Sequence, residues 1–215
     1  MSKRSIWKRI NRGFLVSMVL LAGVLIYILV TQLMLIPERR ELRELADSVR
    51  QISDAMEVQE DEALNKLAEV AEQTKEQERI RKELEPYFVK DSSYLDVAAK
   101  TFLESILSQI GGERLTALQL KDNETKVESC TIDGDTATIR MYYAFTVSGY
   151  FYDYNDISGK ENGEMKLKKA EDTDQYMRLY LTCKKVDGQW KVFRISEYYR
   201  YVNNHDMSFT EVIGE

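Results

Sequence analysis

Hydrophobic residues are arranged in three different ways along this chain. From Gly13 to Ile36 they are continuous, with no charged residue and only Ser17, Thr31 and Gln32 clearly polar. At ~1.5 Å per residue such a run is long enough to cross a ~30 Å hydrocarbon layer, which predicts a transmembrane helix over 13–36. A secretory signal has an apolar region of only ~7–15 residues that ends in small side chains. This run is longer and leaves through Leu33-Met34-Leu35-Ile36-Pro37, so an uncleaved anchor is expected.

The second pattern is helical. Residues 38–85 contain no Gly, no Pro and no aromatic side chain, and Pro37 and Pro86 bracket them. Nearly every residue there favours a helix, and a proline disfavours helical torsions in the residue before it. Leu42, Leu45, Val49, Ile52 and Met56 are spaced by three and four, as in the a/d seam of a coiled coil. Leu64, Leu67 and Ala71 form a second stripe, which marks a register change or a turn between two helices. The expectation for 37–85 is a helical stalk that pairs with copies of itself. Pairing with another membrane protein, a solvated single helix and a hairpin folded back on itself are the alternatives.

The third pattern begins at Pro86, where twelve of the thirteen tyrosines still lie ahead. Apolar positions from Leu95 to Ile110, after the capping residues Asp91-Ser92-Ser93 and before Gly111-Gly112, predict one helix. Alternation then takes over. Ala137, Ile139, Met141, Tyr143, Phe145 and Val147 alternate with Thr136, Thr138, Arg140, Tyr142, Ala144 and Thr146, the period of a half-buried strand. Val127–Ile132 precedes it across the turn Asp133-Gly134-Asp135. Met177, Leu179, Leu181 and Cys183 mark another strand, which Asp187-Gly188 turns into a last one through Phe193 and Ile195. Residues 121–123 and 155–174 read as loops. A helix followed by a curved antiparallel meander is an α+β layout, and 86–215 is long enough for its own core.

Charge sharpens this division. Residues 1–12 carry five bases and no acid, whereas the other 25 bases and all 36 acids follow, a balance of −11. The basic flank predicts a cytoplasmic tail over 1–12 and an extracytoplasmic remainder, with membrane lipid as its neighbour. An acidic body excludes nucleic acid as a partner of the outer domain.

Candidate chemistry is sparse. The one histidine, His205, lies near the C-terminus, and Asp153, Asp156, Asp172 and Asp174 fall on the predicted loop. The stretch Asp153–Gly159 fails as a calcium loop, because Ile157 and Ser158 stand where an oxygen ligand and a glycine are needed. Cys130 and Cys183 face inward on strands that the strand at 136–147 separates by two ~4.8 Å spacings, beyond bridging distance, so two buried free thiols are expected. No catalytic residue, cofactor site or metal site is assigned, and an enzyme is not expected. Two aromatic clusters remain, Tyr150, Phe151, Tyr152 and Tyr154 after one strand, and Tyr198, Tyr199 and Tyr201 after another. They read either as a docking surface for other envelope proteins or as padding of the sheet.

The helix followed by IDGDTATIRMYYAF (132–145) and YLTCKKVDGQWKVFRI (180–195) resembles the nuclear transport factor two-like (cystatin-like) superfamily. The resemblance covers about residues 91–200 and implies a cone-shaped domain. With the basic tail and single span, the layout is similar to the bitopic scaffold subunits of type IV secretion and conjugation machines. The long stalk departs from their simplest form. The resemblance implies a non-enzymatic assembly subunit. A tethered binder of a small ligand or peptide is the alternative.

Overall fold

The structure, a computed structural model, describes residues 12–57, 61–90, 92–119, 125–152, 167–202 and 209–210. It divides into two compact units between Glu41 and Leu42.

The first unit is dominated by helix α1 (Arg12–Met34). Its most apolar stretch has a mean hydropathy of 2.7 and no buried side chain, so α1 is long and apolar enough to cross a membrane. Ser17 and Thr31 return their hydroxyl protons to the carbonyls of Gly13 and Tyr27, which satisfies both within the helix. At the far end Arg39 donates to Gln32 Oε1 at 2.7 Å.

The second unit is α+β. Helix α2 (Ile36–Glu57) has Pro37 in its first turn, where a missing N–H costs nothing. Leu42, Leu45, Ala46 and Val49 lie on one face and are buried in the unit's core, with Ile52 packed against it. The helical segment does not continue unbroken to Pro86. Helix α3 (Asp61–Lys66) ends in a turn over Leu67–Glu69, and α4 (Val70–Leu84) follows from an extended Glu69. Gln73 Nε2 fastens the turn by donating to the Leu67 carbonyl at 2.8 Å. A short 3₁₀ turn (Glu85–Tyr87) contains Pro86, and α5 (Ser93–Leu107) is capped by the Ser92 hydroxyl. Leu64, Leu67, Ile80 and Leu84 join the same core as Phe102 and Ile106 of α5. The described residues of 42–85 therefore lie in the same compact unit as the sheet, a unit that begins at Leu42, whereas the sequence pattern changes at residue 86.

The sheet is built on two long strands, β3 (Thr136–Tyr152) and β4 (Leu167–Val186). β1 (Arg114–Gln119) and β2 (Thr125–Asp133) pair successive parts of one edge of β3. β4 pairs its other edge, and β5 (Gln189–Val202) and β6 (Phe209–Thr210) pair the far side of β4. The pairings between these strands are antiparallel, Phe88 adds a parallel bridge to Val192 of β5, and β1 makes the order other than a simple meander. Register shifts at Val147/Gly149 and at Thr182/Cys183 are bulges, which bend and twist long strands. Gly149 is needed at the first of them. A Cβ there would collide with the Arg114 carbonyl oxygen and lie 2.8 Å from Phe151 Cζ. The β4–β5 hairpin turns through Asp187 and Gly188, with φ of 50° and 80°, the pairing a two-residue turn of this hand requires.

Strand alternation fixes where the core sits. Ile139, Met141, Tyr143 and Phe145 of β3 meet Leu181, Leu179, Met177 and Gln175 of β4, all buried. The segment 167–174, expected as loop, is strand because it pairs with 147–152, and Ala170 and Thr173 are buried there.

Candidate docking face

Three groups of residues could carry function: the heptad-spaced stripe of α2, the aromatic clusters, and the outward side of the sheet. The stripe is used inside the domain. Leu42 and Val49 are fully buried, and Leu45 nearly so. Arg50, from the same helix, holds its guanidinium 4.8 Å above the Tyr143 ring on the inner side of β3. Three-and-four spacing suits any flat apolar partner, and for Leu42, Leu45 and Val49, expected as a self-pairing seam, the partner here is the chain's own core. Met56 lies outside the residues whose side chains are described.

The aromatic clusters do not follow strands but lie within them. Tyr150, Phe151 and Tyr152 end β3, and Tyr198, Tyr199 and Tyr201 lie in β5 opposite Leu179, Arg178 and Tyr176. Phe151 is buried and cannot be a docking residue, because alternation turns it to the same side as Val147. Tyr150 is half-buried under the Arg114 guanidinium, 4.5 Å from its ring centroid. Tyr152 is half-buried, and its backbone N–H donates to Glu113 at 2.9 Å. Tyr154, His205, Asp153 and Asp156 lie outside the described residues. Asp174 is in β4 rather than a loop and accepts from the Thr146 hydroxyl at 3.3 Å. For Tyr198, Tyr199 and Tyr201 the register is described but not the side chains.

The outward side of β3 and β4 is what sequence reading missed as a unit. Tyr142 and Tyr176 stack with ring centroids 5.6 Å apart. Arg140 lies over Tyr180, directly across the ladder, at 4.7 Å from its centroid. Arg178 reaches Glu128 of β2 with two nitrogens, each 3.1 Å from the same carboxylate oxygen. The polar half of the period-two alternation contained this signal. These are aromatic and guanidinium groups held rigid by neighbours, the side-chain types that dominate protein interfaces.

The cysteines are free. Cys183 is buried, Cys130 half-buried, and β3 runs between them through Ala137 and Ile139. Burial, with a smaller contribution from Cys130, pushes the Cys183 thiol up to about 12, so the reactive thiolate is suppressed. A shallow groove between α3 and α4, lined by Leu67, Glu72, Lys75 and Arg79, is open to solvent. Among the described residues no cluster of His, Cys, Asp and Glu is placed to hold a metal ion.

No protein-family model matches the chain. No curated protein matches it. Solved structures similar to it include an NTF2-like protein with a cystatin-like fold from Novosphingobium aromaticivorans, at 16% identity over 78% of this chain and 84% of that one, with a TM-score of 0.34. A variant of Rd1NTF2_05 is 11% identical over 75% of this chain and 99% of that one, with a TM-score of 0.30. The intermembrane space region of the chloroplast protein ARC6 is 14% identical over 60% of this chain and 90% of that one, with a TM-score of 0.25.

Proposed function

We propose that this chain is a non-enzymatic, membrane-anchored interaction subunit of a cell-envelope assembly, of the secretion or conjugative-transfer type. In this reading α1 is the anchor, the basic N-terminus is cytoplasmic, and the domain from Leu42 onward docks another envelope protein outside the cytoplasm. One observation carries the reading. The inner side of the sheet, where a cone of this layout would hold a small molecule, is occupied by side chains of α2 and α5, while the outward side presents Tyr142, Tyr176, Arg140 and Arg178. The basic tail and single apolar helix support the orientation.

A second reading, a binder of a small ligand inside the cone, has one feature in its favour. Thr173 is 1% exposed, occupies an inward register position opposite Val147, and its hydroxyl has no hydrogen-bond partner among the described residues. Chemical crosslinking of intact membranes, with mass spectrometry of the products, separates the readings. Links from the domain to another envelope protein are expected. A chain linked to nothing, and carrying a small molecule in native mass spectrometry, contradicts the interaction reading and supports the binder.

A further inference from the structure

We infer that two copies of this chain pair edge to edge through β2, antiparallel, across a two-fold axis at Cys130. This goes beyond the docking of another protein and does not rest on it.

The edge is the first observation. β3 takes one side of β2 from Thr125 to Asp133, and among the described residues no strand takes the other. Seven of the nine residues of β2 are exposed, and none is Gly or Pro. Such an edge presents a row of backbone donors and acceptors that templates a further strand.

The side chains select which strand. Glu128 is an extra residue between Val127 and Ser129, which oppose Met141 and Arg140 of β3. Register on β3 turns Val127, Cys130 and Ile132 to the core side and Lys126, Ser129, Thr131 and Asp133 outward. Around an axis through Cys130, each of these positions meets one on its own side of the sheet, as antiparallel pairing requires. Thr131 of each copy meets Ser129 of the other, a hydroxyl pair. Ile132 meets Val127, which is 38% exposed in the single chain. Asp133 meets Lys126.

That last pair fixes the register. Lys126 and Asp133 are exposed, and neither has an ion pair among the described residues. They stand at opposite ends of β2, roughly 20 Å apart at ~3.4 Å per residue, so they cannot meet within one chain. The two-fold brings them together twice. Glu128 is already held by Arg178, and the exposed Asp135 in the turn adds to the acidic end. Moving the axis to Ser129 or Thr131 keeps the sides matched but sets Lys126 on Thr131, or Asp133 on Ser129. Anchoring in one bilayer raises the local concentration that a contact of this size needs.

The test oxidises the full chain in its own membranes with copper phenanthroline and reads disulfide-linked dimer by non-reducing electrophoresis. Directly opposed residues of an antiparallel pair lie within bridging distance, so Cys130 reports on the axis, whereas Cys183 is buried. A dimer is expected, lost in Cys130→Ser and kept in Cys183→Ser. Its yield should fall at least fivefold in Lys126→Asp alone and in Asp133→Lys alone. Co-expressed, these two variants should give a heterodimer near the wild-type yield, because both contacts again join opposite charges. Lys126→Asp/Asp133→Lys in one chain should recover in the same way, which separates loss of pairing from failure to fold. No dimer, a dimer that persists in Cys130→Ser, a yield indifferent to the reversals, or no recovery in either combination overturns the inference. A Cys130 link to another protein overturns it as well, and leaves the interaction reading standing.

Discussion

The two sides of the central strands are made from the same residues' neighbours and behave in opposite ways. On the inner side, Ile139, Met141, Tyr143 and Phe145 are at most 2% exposed and meet α2 and α5 in one core. On the outer side, one residue away along the same backbone, Arg140 and Tyr142 remain half-exposed, Arg140 over the Tyr180 ring and Tyr142 stacked on Tyr176. Alternation alone makes this division, because successive side chains of a strand point to opposite faces. The difference lies in what covers each side. A single domain can thus hold its stability on one face and leave the other free for recognition, and a substitution should affect either stability or docking according to its parity.

The largest effect is expected where α2 enters the inner core. Leu42→Ala should cost about 2–5 kcal/mol and lower the melting temperature by on the order of 5–15 °C. Thermal melting followed by circular dichroism reads this directly. A seam that served only self-pairing would leave the melt of the monomer unchanged. Next comes Gly149→Ala, which drives a Cβ into the Arg114 carbonyl and the Phe151 ring and should cost roughly 1–3 kcal/mol. Its denaturant midpoint should drop, whereas an alanine at the open Gly23 of α1 should leave the domain's midpoint alone.

Outer-face changes should reverse the balance of effects. Tyr142→Ser with Tyr176→Ser should cost only ~1 kcal/mol, the scale of a cross-strand pair, yet abolish most crosslinking to the partner. A large melting loss in that double variant would show that the outer tyrosines are core after all. The smallest effect concerns Cys183. Burial holds its pKa at about 12, above the ordinary thiol value of 9.0, so the neutral thiol's contribution is complete below pH 9 and is lost as pH rises toward 12. At neutral pH a maleimide should modify Cys183 only after denaturation, and rapid labelling in the folded chain would contradict its burial.

What was legible in the sequence was local. The apolar run of α1, the capped helix α5, the β2–β3 turn at Gly134 and the Asp187-Gly188 hairpin each depend on residues close in sequence. The destination of α2 was not legible, because the spacing of Leu42, Leu45 and Val49 is the same for a helix packed on a helix and one packed on a sheet. β1 is six residues long, RLTALQ, too short for a period to emerge. The polar stretch Leu167–Asp174 is strand only because Val147–Tyr152 offers it a ladder, a long-range fact. The outer docking face was half visible. Tyr142, Arg140 and their alternation were in plain view, but their pairing with Tyr176 and Tyr180 required the register of β3 on β4.

Amide hydrogen exchange of the full chain in lipid nanodiscs tests the central claim most directly, namely that α2 from Leu42 is part of the domain's inner core. The account predicts that amides of residues 42–53 exchange slowly and together with those of β3 and β4, at the free energy of global unfolding and independently of protein concentration. Exchange of 42–53 that is fast, or that slows only as the chain self-associates while β3 and β4 stay protected, would contradict it and restore an independent, oligomerising stalk.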